Sequence, residues 1–284
     1  MYLTYKNTNL NISLYKNNAI TEDEEIFREI FRVVVRERSK IEKEIVKNLL
    51  FKYFLEPVEI NHLTSAHFVP LTSFVSFQNL CGFENRGFSG QARKSFGDFQ
   101  NPGDFQNAEI NDAPDIIKLM VCSSKTANVG PMAGVAGAIS EILCRKCIEF
   151  GFDAGLIENG GDIALFGDRN FKVKIYAGNS PFSNKFFISL NPAKLFPDKI
   201  LGICTSSSSV GPSVSFGDSD ATTIIANSPA IADAFATSLG NLVKNDEESI
   251  EDVIELGKKF KEIYGICIIV KDKIGAWNVN LEKI

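Results

Sequence analysis

Apolar residues near the start of the chain recur at short spacing on either side of Asn7, Thr8 and Asn9, a turn-forming trio, and this predicts a hairpin. From Thr21 to about Leu55 the period lengthens. Ile26, Ile30, Val33 and Val34, then Ile41, Ile45 and Leu49, fall three or four apart among charges, predicting one long helix or two in succession. Glu22, Asp23, Glu24 and Glu25 suit its first turn, where the helix dipole leaves partial positive charge. Pro57 ends the pattern, and the chain through Leu80 reads as irregular or strand-like. Residues 82–112 follow neither period: glycines and phenylalanines are scattered among Asn, Gln and Asp. The expectation is a flexible insertion, serving either as a Phe-bearing lid or as a tolerated surface loop.

Beyond Asp115 helical and strand patterns alternate. Pro131 to Phe150 predicts a helix of small residues, Gly155 to Phe166 a strand with a glycine turn, and Phe171 to Tyr176 and Phe186 to Leu190 two further strands. Asp220 to Ala226 reads as a short apolar run typical of a buried strand. Ser228 to about Val243 and Ser249 to Tyr264 predict helices, and Ile266 to Val270 with Ala276 to Val279 a closing hairpin. This order implies a layered α/β (mixed α+β) fold with mixed sheets and flanking helices, formed as a single domain over residues 1–284.

Composition narrows the function classes. The chain of 284 residues is 44% apolar and 23% charged, enough to bury a core without staples. A net charge of -5 gives no general attraction for nucleic acid or anionic lipid, so neither is an expected partner. No stretch reaches the roughly 18 apolar residues of a membrane helix, and the polar opening lacks the apolar core of a signal peptide, so a cytoplasmic protein is expected. Six cysteines spread over such a length fit reduced thiols better than a disulfide framework.

Four segments carry chemistry. In the first, Asn128 to Glu141, Pro131 sits at a helix start with Gly130, Gly134 and Gly137 around it. Exposed amides there would hold an anion, or the glycines would only permit close packing. The second, Glu158-Asn159-Gly160-Gly161-Asp162, places paired glycines beside two carboxylates and an amide, suited to a ligand ribose or a cation, or simply to a solvated turn. The third, Gly202 to Gly217, clusters Thr205, Ser206, Ser207, Ser208 and further serines, whose hydroxyls would meet phosphate oxygens, although no Walker lysine follows. The fourth opens on a Ser228-Pro229 cap and sets Asp233 and Thr237 four apart on one helix face, a pairing suited to Mg²⁺. Cys144 and Cys147 lack a second pair at zinc spacing. Cys204 is either a buried structural thiol or one with a lowered pKa among backbone amides. The two histidines, His62 and His67, lie far along the chain from these segments, and no catalytic residue is assigned.

Taken in order, VGPMAGVAGAISE, ENGGDIAL, YAGNSP, GICTSSSSVGPSVSFG and ADAFATSLGN resemble an uncharacterised prokaryotic subfamily of the ApbE-like superfamily, whose known members are FAD:protein FMN transferases. The resemblance implies an α/β fold with a nucleotide cleft, FAD or a related adenine nucleotide as ligand, and Mg²⁺ at Asp233 and Thr237. It also implies that Gly160, Gly161 and Asp162 form the turn beside the nucleotide, and that a protein acceptor and a homodimer are candidate partners. The serine loop departs from the subfamily at Pro212, which stands where a histidine is usual and can neither relay a proton nor donate a hydrogen bond. The implied function is therefore nucleotide and Mg²⁺ binding first. Flavin transfer to a protein and an accessory role in sulfur assimilation into homocysteine, which would involve Cys204, are the alternatives.

Overall fold

A computed structural model describes residues 1–6, 8–21, 23–47, 113–197, 200–210 and 216–284. The expectations for residues 82–112, for His62 and His67 and for Pro212 lie outside them. The predicted hairpin is present: β1 (Tyr2–Tyr5) pairs antiparallel with β2 (Thr8–Lys16), which also takes the short β3 (Ala19–Ile20). Next comes α1 (Glu24–Lys47), with Glu24 and Glu25 in its first turn as the dipole favours, and with Ile30, Val33, Val34 and Ile41 buried along one side.

The second half supplies the rest. It runs α2 (Asp115–Ala127), a 3₁₀ turn (Pro131–Gly134) leading into α3 (Val135–Glu149), β4 (Ala154–Asn159), β5 (Asp162–Phe166), β6 (Phe171–Lys174) and β7 (Phe186–Leu190). It continues through α4 (Pro192–Leu195), β8 (Leu201–Ser206), β9 (Ala221–Ala226), α5 (Pro229–Gly240), α6 (Glu247–Gly257), β10 (Ile263–Val270), β11 (Lys273–Trp277) and β12 (Leu281–Lys283). Several boundaries differ from expectation; the second strand of the closing hairpin, for one, is β11 (Lys273–Trp277) and not Ala276 to Val279. The helix predicted over Ser249 to Tyr264 begins earlier, capped by the Asp246 side chain, and stops at Gly257, where the chain turns and enters β10. The serine tract starts not as a loop but as β8, because Leu201, Gly202, Ile203 and Cys204 are buried between two layers.

The main sheet has the order β1-β2-β4-β5-β8-β9-β10-β11, with β3 beside β2, and a smaller sheet has the order β12-β7-β6. Every strand pair described is antiparallel, the α+β form of the expected layered fold. Period-2 alternation sorts the central strands between two cores. Ala164, Cys204, Ile224, Ala226, Ile266 and Ile268 pack with helical residues, whereas Ile163, Leu165, Ile203, Ile225, Cys267 and Ile269 pack against Phe171, Val173, Ile188 and Leu190 of the small sheet. Both faces are covered, so β9 is buried at all six positions, Thr222 and Thr223 included, which is unusual for an antiparallel strand. Among the described residues no single helix is long and apolar enough to cross a membrane.

Candidate functional site

Antiparallel order brings the β4–β5 turn, the C-terminal end of β8, the start of β9 and the β10–β11 turn to one end of the main sheet. The turn itself is dictated by sequence. Asn159 pairs with Asp162 across Gly160 and Gly161, which take φ of +64° and +102°, values that side chains rarely adopt. A side chain added at Gly160 would meet only open space, so backbone conformation is what requires glycine there.

Asp162 leaves this turn opposite Cys204 on β8. The residue as a whole is half-buried, yet its Oδ1 atom is covered and has no hydrogen-bond partner. Burial, reinforced by the negative charge of Asp233, raises its pKa well above the usual carboxylate range, although the Cys204 thiol and the Thr205 backbone oppose the shift. Asp233 is itself buried on α5, and desolvation raises its pKa to about 7 against the lowering effect of the Gly137 and Ala136 amides. Its Oδ2 accepts a hydrogen bond from Gly137 N at 2.8 Å. A short polar scaffold holds the neighbourhood in place: Ser140 Oγ donates to the carbonyls of Ala136 (3.0 Å) and Asp162 (3.1 Å), and Asn159 Nδ2 donates to Ala136 O (3.3 Å). Thr237 lies one turn beyond Asp233 on the same helix face.

The glycines of the helix start serve close packing. A Cβ at Gly137 would stand 2.3 Å from Pro229 O and one at Gly134 3.2 Å from Ala230 O, so this segment meets a neighbouring helix, α5, at backbone distance. Gly130 precedes the 3₁₀ turn as its cap in an extended conformation. The Gly137 amide is taken by Asp233 and is therefore not offered to an external anion.

Among the described residues of the serine tract, most hydroxyls are likewise engaged within the protein. Thr205 Oγ1 meets Thr223 Oγ1 at 2.9 Å, Ser206 is buried, Ser207 Oγ accepts from the amides of Ser209 and Val210, and Ser208 Oγ donates to Ser219 O at 2.8 Å. Ser209 Oγ reaches Asp220, which accepts in turn from Lys271 N at 2.6 Å. This end is thus ordered by its own polar contacts. Three buried atoms at this end are left without one among the described residues: Asp162 Oδ1, Ser219 Oγ and Thr222 Oγ1, and of these only Asp162 is a carboxylate.

Cys204 is fully buried, and burial with the charges of Asp162 and Asp233 pushes its thiol up, the opposite of an activated nucleophile. Cys144 and Cys147 are buried with thiols raised by desolvation. A cavity of about 880 Å³ opens at the opposite end of the sheet, between Phe152, Phe166, Phe196 and Asn227, and holds none of the predicted ligand residues. Sequence reasoning did not single out Glu141, which is 3% exposed and binds across to α5. Its position four residues after Gly137, on the same helix face, was the available signal.

Residues 94–257 match the family described as AbpE bacteria. The UPF0280 protein of Methanococcus vannielii is 45% identical over 166 residues, covering 58% of this chain and 66% of the relative. The UPF0280 protein of Methanocaldococcus jannaschii is 44% identical over 167 residues, covering 58% and 66%. The chain thus matches just under two thirds of the length of these relatives. Among solved structures, the flavin transferase ApbE from Vibrio cholerae superposes with a TM-score of 0.50 at 14% identity, covering 98% of this chain and 96% of that one, a likeness of fold.

Proposed function

The chain belongs to the AbpE bacteria family and has an ApbE-like fold, and from that premise we propose that it binds a flavin or adenine nucleotide together with Mg²⁺ at the glycine-turn end of the main sheet. The observation that carries this reading is the buried, unpartnered Oδ1 of Asp162 beside the buried Asp233. Two carboxylates close together in a low-dielectric setting are costly without a compensating positive charge. A set of oxygen donors, Asp162, Asp233 and the Thr237 hydroxyl, fits a hard cation better than a transition metal.

In this reading Asp233 and Thr237 hold the cation, and Asp162 contributes the second negative charge. The cation would neutralise the phosphates of a bound nucleotide. The Gly160-Gly161 turn, which leaves open space where side chains would stand, lets the nucleotide approach the backbone. Ser140 and Asn159 fix the carbonyls of Asp162 and Ala136, so the site is held rigid from behind. Calorimetric titration with FAD, ADP and FMN, with and without Mg²⁺, tests the reading. Binding that requires Mg²⁺ and weakens at least tenfold in Asp162→Asn supports it, and absence of binding by all three nucleotides refutes it.

A second reading, transfer of FMN to a protein acceptor, is favoured by the fold shared with the Vibrio cholerae flavin transferase. It predicts covalent flavin on a co-expressed acceptor, detectable by mass spectrometry, and its loss in Asp233→Ala. An acceptor that stays unmodified when FAD and Mg²⁺ binding are intact leaves nucleotide binding as the activity of this end.

A further inference from the structure

Two carboxylates cross between α3 and α5 in opposite directions. Asp233 of α5 accepts from the Gly137 amide in the first turn of α3 at 2.8 Å. Glu141, one turn further along α3, reaches the first turn of α5. Its Oε2 accepts from Ser228 Oγ at 2.5 Å and from the Ala230 amide at 3.3 Å, while its Oε1 takes Arg145 Nη2 at 2.5 Å. Each helix start thus receives its anion from the other helix, where the helix dipole and unpaired amides favour one. Between the two contacts the backbones touch, since a Cβ at Gly137 would stand 2.3 Å from Pro229 O and 2.8 Å from Asp233 Cβ.

We infer that Glu141 is a positioning residue for the proposed cation site: by holding the start of α5 against α3 it fixes where Asp233 presents its carboxylate. Ser228 bonds its own helix as well as Glu141, accepting from Ile231 N at 3.4 Å, so the contact grips the capped end of α5 and not a loosely attached side chain. Asp233 begins the next turn from Ala230, and with backbones at van der Waals distance a slide of α5 along α3 moves both contacts together. Truncating Glu141 leaves Arg145 half-exposed and solvated but takes the acceptor from two donors at the start of α5, the half-buried Ser228 hydroxyl and the buried Ala230 amide. The consequence expected is a looser register between the helices, felt at Gly137 and Asp233 one turn away.

The inference rests on the cation reading above, and its test separates the two. The full chain, its Glu141→Ala and Glu141→Gln variants and Ser228→Ala are compared by amide hydrogen exchange in the presence of EDTA and by Mn²⁺ titration. Glu141→Ala should lower protection of the Gly137 amide at least tenfold relative to that of Leu143 in the same helix, and weaken Mn²⁺ at least tenfold. Glu141→Gln, which keeps an acceptor oxygen, should restore both to within about threefold. A role in general stability alone would lower protection evenly along α3 and leave the Mn²⁺ affinity of the folded protein unmoved, and either result overturns the inference. Should Glu141→Ala fail to fold, Ser228→Ala, which takes one donor from Glu141 together with the cap acceptor of Ile231 N, is expected to shift both readouts the same way by about threefold, and no shift there also overturns it. A wild-type chain that ignores Mn²⁺ while Gly137 protection still depends on Glu141 refutes the cation reading and leaves the helix clasp standing.

Discussion

Replacing Asp233 by asparagine should stabilise the cation-free protein at pH 8 and weaken its ligand binding. With its pKa raised from 3.8 to about 7, the ionised form is disfavoured in the folded state by about 4 kcal/mol at ~1.4 kcal/mol per pH unit. The folded protein therefore binds this proton more tightly than the unfolded chain does. Stability is intact below pH 4, falls as pH rises from about 4 to about 7, and stays low above that, a loss of roughly 3 kcal/mol between pH 5 and pH 8. The amide of the Asp233→Asn variant would keep an acceptor oxygen for the Gly137 N–H without the charge. Thermal unfolding in EDTA should then show wild type losing on the order of 5–10 °C between pH 5 and pH 8, and Asp233→Asn losing much less. Mg²⁺ should restore the wild type at pH 8 and leave the variant unmoved, since a ligand stabilises only a state that binds it. A variant less stable than wild type at pH 8 in EDTA, or a wild-type curve that rises with pH over this range, would refute the reasoning. Asp162, whose pKa is raised by the same burial, adds to the slope in the same direction.

Two further outcomes are expected. Gly137→Ala places a Cβ 2.3 Å from Pro229 O, a backbone atom that cannot swing aside, so it should cost at least about 3 kcal/mol in urea unfolding, the scale of severe overpacking; a cost below about 1 kcal/mol would mean that the helix contact is not tight. In native protein at pH 8, iodoacetamide should modify Cys122, which is exposed, and spare Cys144, Cys147, Cys204 and Cys267, which are buried, until denaturant is added. Peptide mass mapping reads the result, and rapid native labelling of Cys204 would contradict its burial.

Local pattern alone determined much of this protein. The 3.6-residue period marked α1, the Ser228-Pro229 cap marked the start of α5, and Gly160-Gly161 between two apolar runs marked a glycine turn, because these signals depend on residues a few positions apart. The Asp-x-x-x-Thr spacing likewise put Asp233 and Thr237 on one face before any fold was known. What the sequence could not decide was who meets whom. Gly137 and Asp233 are 96 positions apart, Glu141 and Ser228 87, and only the crossing of α3 with α5 turns a supposed anion-binding helix start into one already occupied by a carboxylate. The same holds for the serines. Their hydroxyls looked available, but the pairing of β8 with β9 supplied Thr223 as a partner for Thr205, while Ser219 and Asp220 meet Ser208 and Ser209. Burial is a property of layers, so the unpartnered Oδ1 of Asp162, the raised Asp233 and the inert Cys204 emerge only where two sheets and a helix layer exclude water from side chains that the sequence shows merely as polar.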